Sequence, residues 1–270
     1  MKRLIAFDFG LSQTKVAIRI DGSERLHVTP SSGVVDENLV SGLLHSLGHQ
    51  ASDFDRIAVT GGKHARLPDH FNRTPLLHFS ESQCTGFGGA DLAHVTSAMV
   101  VSAGTGTACI SVRDGVCKHT FGTAVGGGTL QGLGRLLLGQ GNAERIDELA
   151  RTGVASACDL TIVDAIGGQL DYLPSDMTAV NFGRVAIGAS PTQADLAAGL
   201  TNMVAQTVSL IAIGAARAEN QQKIIFVGSL LQLPRLRAYC HDVASIYGVT
   251  FDVPGNGTFA GALGALELIA

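Results

Sequence analysis

The sequence predicts an α/β chain of two similar lobes that face each other across a cleft. Three observations predict it. Strands come in a group and helices follow, and this order occurs twice along the 270 residues. In each half a glycine-bearing turn joins two strands at the equivalent place, Gly10-Leu11-Ser12-Gln13 first and Gly104-Thr105-Gly106 second. No Pro- or Ser-rich linker separates the halves, so the lobes are expected to touch closely. The expected division is an N-terminal lobe over residues 1–92 and a C-terminal lobe over 93–257. The closing helix, 258–270, is expected to pack back on the first lobe.

The elements follow from hydrophobic period and punctuation. Leu4 to Phe9 and Lys15 to Ile20 form the first hairpin. Asp36 to Leu47 has helical spacing at Leu39, Leu43 and Leu44. Arg56 to Thr60 is a strand that runs into Gly61-Gly62, and Glu81 to Leu92 is a glycine-rich helix. Ala98 to Ser102 and Thr107 to Val112 are strands, and Asp114-Gly115 turns the chain into Val116 to Phe121. Gly126-Gly127-Gly128 opens a helix to about Leu138, and a second helix covers Ala143 to Arg151. Thr161 to Ile166 and Pro174-Ser175-Asp176 carry no clear period. The longest helix runs from Pro191 to about Ala218, with Ser190 and Gln193 as a capping box around Pro191. Its expected buried stripe is Leu196, Leu200, Met203, Val204, Val208 and Ile211. Ile224 to Val227 is a strand, Leu236 to Ile246 a helix, Thr250 to Val253 a strand, and Thr258 to Leu268 a helix of small residues.

Composition narrows the function. Hydrophobic residues are 46% and charged residues 16%, which excludes disorder. The net charge of -4 leaves no basic footprint for nucleic acid. No run of about 18 apolar residues suggests a membrane span. The start, Met-Lys-Arg-Leu-Ile-Ala-Phe-Asp, reads as a first strand and not as a secretory signal. Five cysteines without a CxxC pair argue for reduced thiols and a cytoplasmic setting. His45 and His49 have the spacing of a helical metal pair, but no third ligand is spaced to complete a site. Glycine is 34 of 270, about twice the usual share, so either loops approach a ligand or elements pack closely.

Three segments could carry chemistry. Asp8, Gly10, Leu11, Ser12, Gln13, Thr14 and Lys15 form a strand-turn-strand loop with backbone N–H groups, a hydroxyl and an ammonium for a nucleotide phosphate. Asp8 could hold Mg²⁺ through water, since Mg²⁺ takes few carboxylates plus phosphate oxygens. A plain hairpin with an exposed lysine would show the same residues. Gly104, Thr105, Gly106 and Thr107 repeat that arrangement in the second half, again open to a plain turn. Two matching loops are far more specific than either, and neither is a P-loop, because GxxxxGK[ST] is absent. The third segment, Gly126, Gly127, Gly128, Thr129, Leu130 and Gln131, sets a glycine triplet at a helix start, where backbone can lie against an anionic ligand.

Together with Thr60-Gly61-Gly62, Asp176-Met177-Thr178-Ala179-Val180-Asn181-Phe182-Gly183, Val227-Gly228-Ser229 and Asn256-Gly257-Thr258-Phe259-Ala260-Gly261-Ala262-Leu263-Gly264, these segments give a pattern that resembles the acetate and sugar kinase, Hsp70 and actin superfamily. Within it the chain resembles the type II pantothenate kinases over nearly its whole length. The resemblance implies an actin-like (ribonuclease H-like) ATPase fold and ATP- and Mg²⁺-dependent phosphorylation of pantothenate, the first step of coenzyme A synthesis. It implies a cytoplasmic homodimer built around the Pro191 helix, and an acyl-CoA effector. It points to Glu81 as general base, to Ser229 near the nucleotide, and to Asp176 and Asn181 as substrate-positioning or structural residues. Where relatives carry an arginine, the register falls on His119, which lacks the five-donor fork. Alternatives are a sugar-type kinase of the same superfamily and a non-catalytic ATP- or acyl-CoA-binding regulator. An Asn-Asp pair expected of the sugar kinases is absent.

Overall fold

The computed structural model describes residues 2–62, 64–168 and 170–270. Its architecture is a sheet pattern built twice. In the first lobe, β1 (Leu4–Phe9), β2 (Gln13–Ile20), β3 (Ser23–Pro30), helix α1 (Glu37–Ser46), β4 (Arg56–Gly61), β5 (His70–Phe71) and β6 (Thr74–His78) form a sheet of order β3-β2-β1-β4-β6-β5. Helix α2 (Glu81–Leu92) follows. In the second lobe come β7 (Ser97–Ala103), β8 (Thr107–Arg113), β9 (Val116–Thr123), α3 (Gly127–Leu138), α4 (Ala143–Ala150), β10 (Leu160–Thr161), α5 (Ile162–Ile166), β11 (Thr178–Val180), α6 (Gly183–Ala186), α7 (Gln193–Ala218), β12 (Ile224–Val227), α8 (Pro234–Ile246), β13 (Phe251–Asp252) and α9 (Ala260–Glu267). The second sheet has the order β13-β12-β7-β8-β9. In both sheets an antiparallel three-strand meander continues into parallel strands on its other side.

The meanders turn at Asp21-Gly22 and Asp114-Gly115. All four residues have positive φ, as a two-residue hairpin turn with the right twist requires. Strand β3 was not anticipated, although its Asp-Gly signal is the one that located β9. Strands β1 and β7 are buried almost throughout because neighbours cover both faces.

Helix α7 forms the spine of the second lobe. Its buried set is wider than the expected stripe: Leu200, Val204 and Val208 are buried, but so are Ala197, Ala198, Ala205, Ala212, Ala215 and Ala216, while Leu196, Met203 and Ile211 are half-buried. It is long and apolar enough to cross a membrane by composition, yet 72% of that stretch is buried inside the fold, as in a core helix. Its start also differs from expectation. Thr192, not Ser190, is the cap, and its hydroxyl accepts from the Asp195 N–H while the Asp195 carboxylate accepts from the Thr192 N–H. Asp195 also accepts from the Val154 N–H at 2.9 Å. The ionised acid outcompetes the neutral Gln193 for this place.

Helices α2 and α9 cross between the sheets. Helix α2 lies on β7, β8, β9 and β12, and α9 lies on β1, β2 and β4. Glycine permits the crossing. A Cβ on Gly264 would stand 1.9 Å from the Cys84 carbonyl oxygen, and one on Gly88 would stand 2.0 Å from the Ala260 carbonyl oxygen. The chain end is tied down as well: the Lys2 ammonium donates to the Ala270 carbonyl and Arg56 to that of Ile269.

We expect Gly264→Ala to lower unfolding stability by about 3 kcal/mol, at the upper end of overpacking costs, because backbone must move. Gly214→Ala should instead stabilise by about 1 kcal/mol, since that mid-helix site has nothing within 4 Å. Urea unfolding of the two variants tests this; equal effects would refute the crossing as the constraint.

Candidate active site

The two strand-turn-strand loops meet. The Ser12 and Thr105 hydroxyls are hydrogen-bonded at 3.0 Å across the lobe boundary. Around this contact opens a cleft of about 610 Å³. Of the residues singled out in the sequence, Asp8, Gly10, Leu11, Ser12, Gln13, Lys15, Glu81, Gly104, Thr105, Gly106, Thr107, Gly127, Gly128, Gln131 and Ser229 line it.

Each is positioned by a local cause. The first loop is tight, with the Gly10 N–H donating to the Gln13 carbonyl at 3.1 Å. That register sets Lys15 directly across from Asp8 in the β1–β2 ladder. Asp8 sits at the end of β1, flanked by Gly61 and Gly261, where a Cβ would lie 2.7 and 2.5 Å from its carboxylate oxygens. Burial pushes the Asp8 carboxyl up to about 6; Lys15 pulls it down, and Glu81 adds to the rise. Glu81 is the first residue of α2 after the cap Ser80, whose hydroxyl accepts from the Gln83 N–H. The Glu81 carboxylate stands exposed at the cleft. Cys84 lies beneath it, with a thiol pushed up to about 12, chiefly by burial, so it stays protonated and unreactive.

The glycine triplet lines the cleft at Gly127 and Gly128 and also holds the second loop. The Gly127 and Gly128 N–H groups donate to the Gly104 and Thr105 carbonyls at 2.8 and 2.9 Å. A Cβ on Gly126 would lie 2.7 Å from the Thr105 carbonyl oxygen. The triplet thus docks α3 onto the second loop through the Gly127 and Gly128 amides. Gly126, Thr129 and Leu130 do not line the cleft. Thr129 donates to the Ala124 carbonyl, and Leu130 is fully buried in the second-lobe core. Thr14 is buried under its loop, and its hydroxyl has no hydrogen-bond partner among the described residues.

Asp176 and Asn181 are not among the residues that line the cleft. Asp176 is exposed on a turn. Asn181 donates to Gln206 and to Asp159, a fully buried carboxylate that also accepts from Thr178, Asn202 and the Phe182 N–H. The Asp-x-Thr-Ala-x-Asn-Phe-Gly segment therefore wraps a structural acid, as a buried carboxylate needs several donors. Asp159 itself was missed, because nothing local marks it.

His119 is exposed on edge strand β9, outside the cleft lining. It pairs with Ile110, and Cys117 pairs with Val112, so the two share a face. That face meets α2, since Cys117 lies against Gly86.

The cleft also includes residues not singled out as site residues: Gly62, Thr85, Ala143, Glu144, Gly228, Leu230, Leu233, Thr258 and Gly261 among them. The place of Gly228 after β12 marks it in the sequence; there φ is +94° and a Cβ would lie 2.5 Å from the Ala103 carbonyl oxygen. Ala143, Glu144, Leu230 and Leu233 had no local signal.

The donor set suits a nucleotide. Glycine loops leave backbone room for phosphates, and Lys15 is the cation lining the cleft among the described residues. No donor meets the Asp8 carboxylate among the described residues, and no cluster of three or more His, Cys, Asp or Glu side chains could enclose a metal there. A single buried carboxylate fits Mg²⁺ that keeps its waters and phosphate oxygens, and does not fit a metal needing an all-protein cage.

Comparison with known proteins agrees with this geometry. A type II pantothenate kinase of Oceanobacillus iheyensis is 28% identical, covering 98% of this chain and 99% of its own. A type II pantothenate kinase of Bacillus cereus is 26% identical, covering 98% of both chains. Among solved structures, component A of the Acidaminococcus fermentans (R)-2-hydroxyglutaryl-CoA dehydratase superposes with TM-score 0.70 at 18% identity, over 99% and 97% of the chains. A glucokinase of the ROK family from Streptomyces griseus, in complex with glucose and AMPPNP, superposes with TM-score 0.61 at 11% identity, over 98% of both. These structures share the actin-like α/β fold of two lobes. The profile described as Fumble matches residues 45–247, and the chain belongs to the Fumble family, whose matched bacterial relatives are named type II pantothenate kinases.

Proposed function

We infer that this chain is a pantothenate kinase that transfers the γ-phosphoryl group of ATP to the primary hydroxyl of pantothenate. The observation that carries the reading is the meeting of both glycine loops at Ser12 and Thr105, with Asp8, Lys15 and Glu81 beside them. The near-complete match to relatives of that name supports the choice of acceptor. ATP as donor is supported by the AMPPNP held in the superposed glucokinase.

In the reaction the acceptor oxygen forms a bond to the γ-phosphorus, and the bond from that phosphorus to the bridging oxygen of ADP breaks. Glu81 takes the hydroxyl proton. Lys15 and the loop amides hold the phosphate chain, and Asp8 would hold Mg²⁺ through water. Bound there, Mg²⁺ would neutralise charge developing on the β- and γ-phosphates. Most of the acceleration then comes from position and charge, with lobe closure excluding water. The acceptor lies between the start of α2 and the face of β9 that carries His119, which offers a hydrogen bond where relatives place an arginine. We extend the reading to a cytoplasmic homodimer with acyl-CoA as effector. Because α7 is largely buried within the subunit, the exposed Val163, Ile166, Tyr172 and Ile187 offer the better dimer surface.

ADP release by the purified protein should depend on pantothenate. Turnover on a sugar would favour the sugar-kinase alternative, and ATP binding without turnover on any acceptor would favour a regulator. Glu81→Gln should lower kcat by about 10²- to 10⁴-fold while ADP binding persists; near-normal turnover would move the base elsewhere.

Asp8 yields a pH test. Its folded value, about 6, lies above the ordinary 3.8, so the neutral form is favoured on folding. The stabilisation is complete below pH 3.8 and is lost as pH rises through 6. Asp8→Asn removes this loss. In nucleotide-free protein the variant should gain on the natural chain as pH rises from about 3.5 to 7, by at most about 3 kcal/mol, with no further change above that, while losing Mg²⁺-dependent turnover. A stability difference that stays flat with pH would contradict the burial of a charge at Asp8.

A further inference from the structure

We propose that Glu144 accepts hydrogen bonds from the ribose hydroxyls of the bound nucleotide and sets the preference for a ribonucleotide. The proposal rests on the nucleotide reading of the cleft, not on the identity of the acceptor. Glu144 lies in the first turn of α4, after the cap Asn142. Three residues on, the buried Asp147 carboxylate accepts from the Arg235 and Leu236 N–H groups at 3.0 and 2.9 Å. This pins the start of α4 against the start of α8. Residues three apart share a helix face, so Glu144 is held on the side that carries Leu230 and Leu233. All three line the cleft, with Ala143 beside them.

The chemistry of that region is specific. Ala143, Leu230 and Leu233 are buried and apolar, which suits the flat faces of a base. Glu144 is exposed at their edge and has no ion pair among the described residues; the neighbouring Arg145 is engaged by Glu148 at 2.8 Å. An unpaired carboxylate repels phosphates, and the cleft's cation, Lys15, stands in the other lobe beside Asp8. The phosphates therefore belong at the Lys15 side, and the nucleoside reaches towards α4. An ionised carboxylate only accepts hydrogen bonds, and its two oxygens match the two adjacent hydroxyls of a ribose.

Calorimetric binding of ADP, 2′,3′-dideoxy-ADP and IDP to the natural chain, Glu144→Ala and Glu144→Gln tests this without any acceptor. The natural chain should bind ADP about tenfold or more tighter than the dideoxy analogue, as for a hydrogen bond to a charged group. In Glu144→Ala that ratio should fall to about two or less, with dideoxy-ADP bound as before, and Glu144→Gln should lie between. An unchanged ratio would overturn the proposal, as would equal weakening for both ligands. So would loss of discrimination between ADP and IDP instead, which would put the carboxylate on the base. Because Glu144 is exposed, unchanged melting without nucleotide is expected for both variants. Absent pantothenate turnover would refute the acceptor assignment and leave these ratios intact.

Discussion

The close crossing of α2 and α9 is the constraint on which the rest depends. The two backbones come near enough that the side-chain positions at Gly88 and Gly264 are occupied by carbonyl groups of the other helix. Helix α2 leaves the first sheet to lie on the second, and α9 leaves the second to lie on the first. Each lobe thus completes the other. The start of α2 carries Glu81, and Gly261 of α9 closes over Asp8. Moving this crossing by a methyl group would shift both carboxylates against the loops, and phosphoryl transfer is sensitive to such shifts.

The electrostatics follow from the same packing. Asp8 is buried because glycine at 61 and 261 lets backbone close on it, and burial opposes its charge. Lys15 offsets part of that cost from the facing strand. A carboxylate held at such a cost, with no hydrogen-bond donor among the described residues, suits the proposed Mg²⁺ that would arrive with the phosphates.

The second loop is organised differently from the first. Gly10 to Gln13 is held by its strand ladders, by Ser31, whose hydroxyl donates to the Gly10 carbonyl, and by the Ser12–Thr105 contact, whereas Gly104 to Thr107 is also gripped by α3 through the Gly127 and Gly128 amides and by the Thr107 hydroxyl, which donates to the Val125 carbonyl. Asp159 does for the segment from Thr178 to Phe182 what the triplet does for this loop. One buried acceptor collects donors from three elements and fixes an irregular stretch of backbone. Both devices free the cleft from depending on local chain stiffness.

Much of this was legible in the residues. Alternating and continuous apolar runs located β1, β2, β7, β8 and β12, because a strand's period is a local property. Glycine at Gly10 and Gly104 marked the two loops, since tight turns between strands demand it. Strand β3 was equally readable from Asp21-Gly22, and the capping box of α7 from Thr192 and Asp195. Other features had no local sign. That Gly88 meets Gly264, that the triplet amides bond the second loop, that Asn181 serves Asp159 and that Glu144 reaches the cleft all depend on contacts between residues far apart in the chain. By itself the sequence determined the two-lobed plan and the loops, because backbone conformation follows nearby residues. Only the tertiary structure decided that Gly88 is the partner of Gly264 and that Gly261, in the closely packed closing helix, also lines the cleft against Asp8, because a missing side chain looks the same until its neighbour is in place.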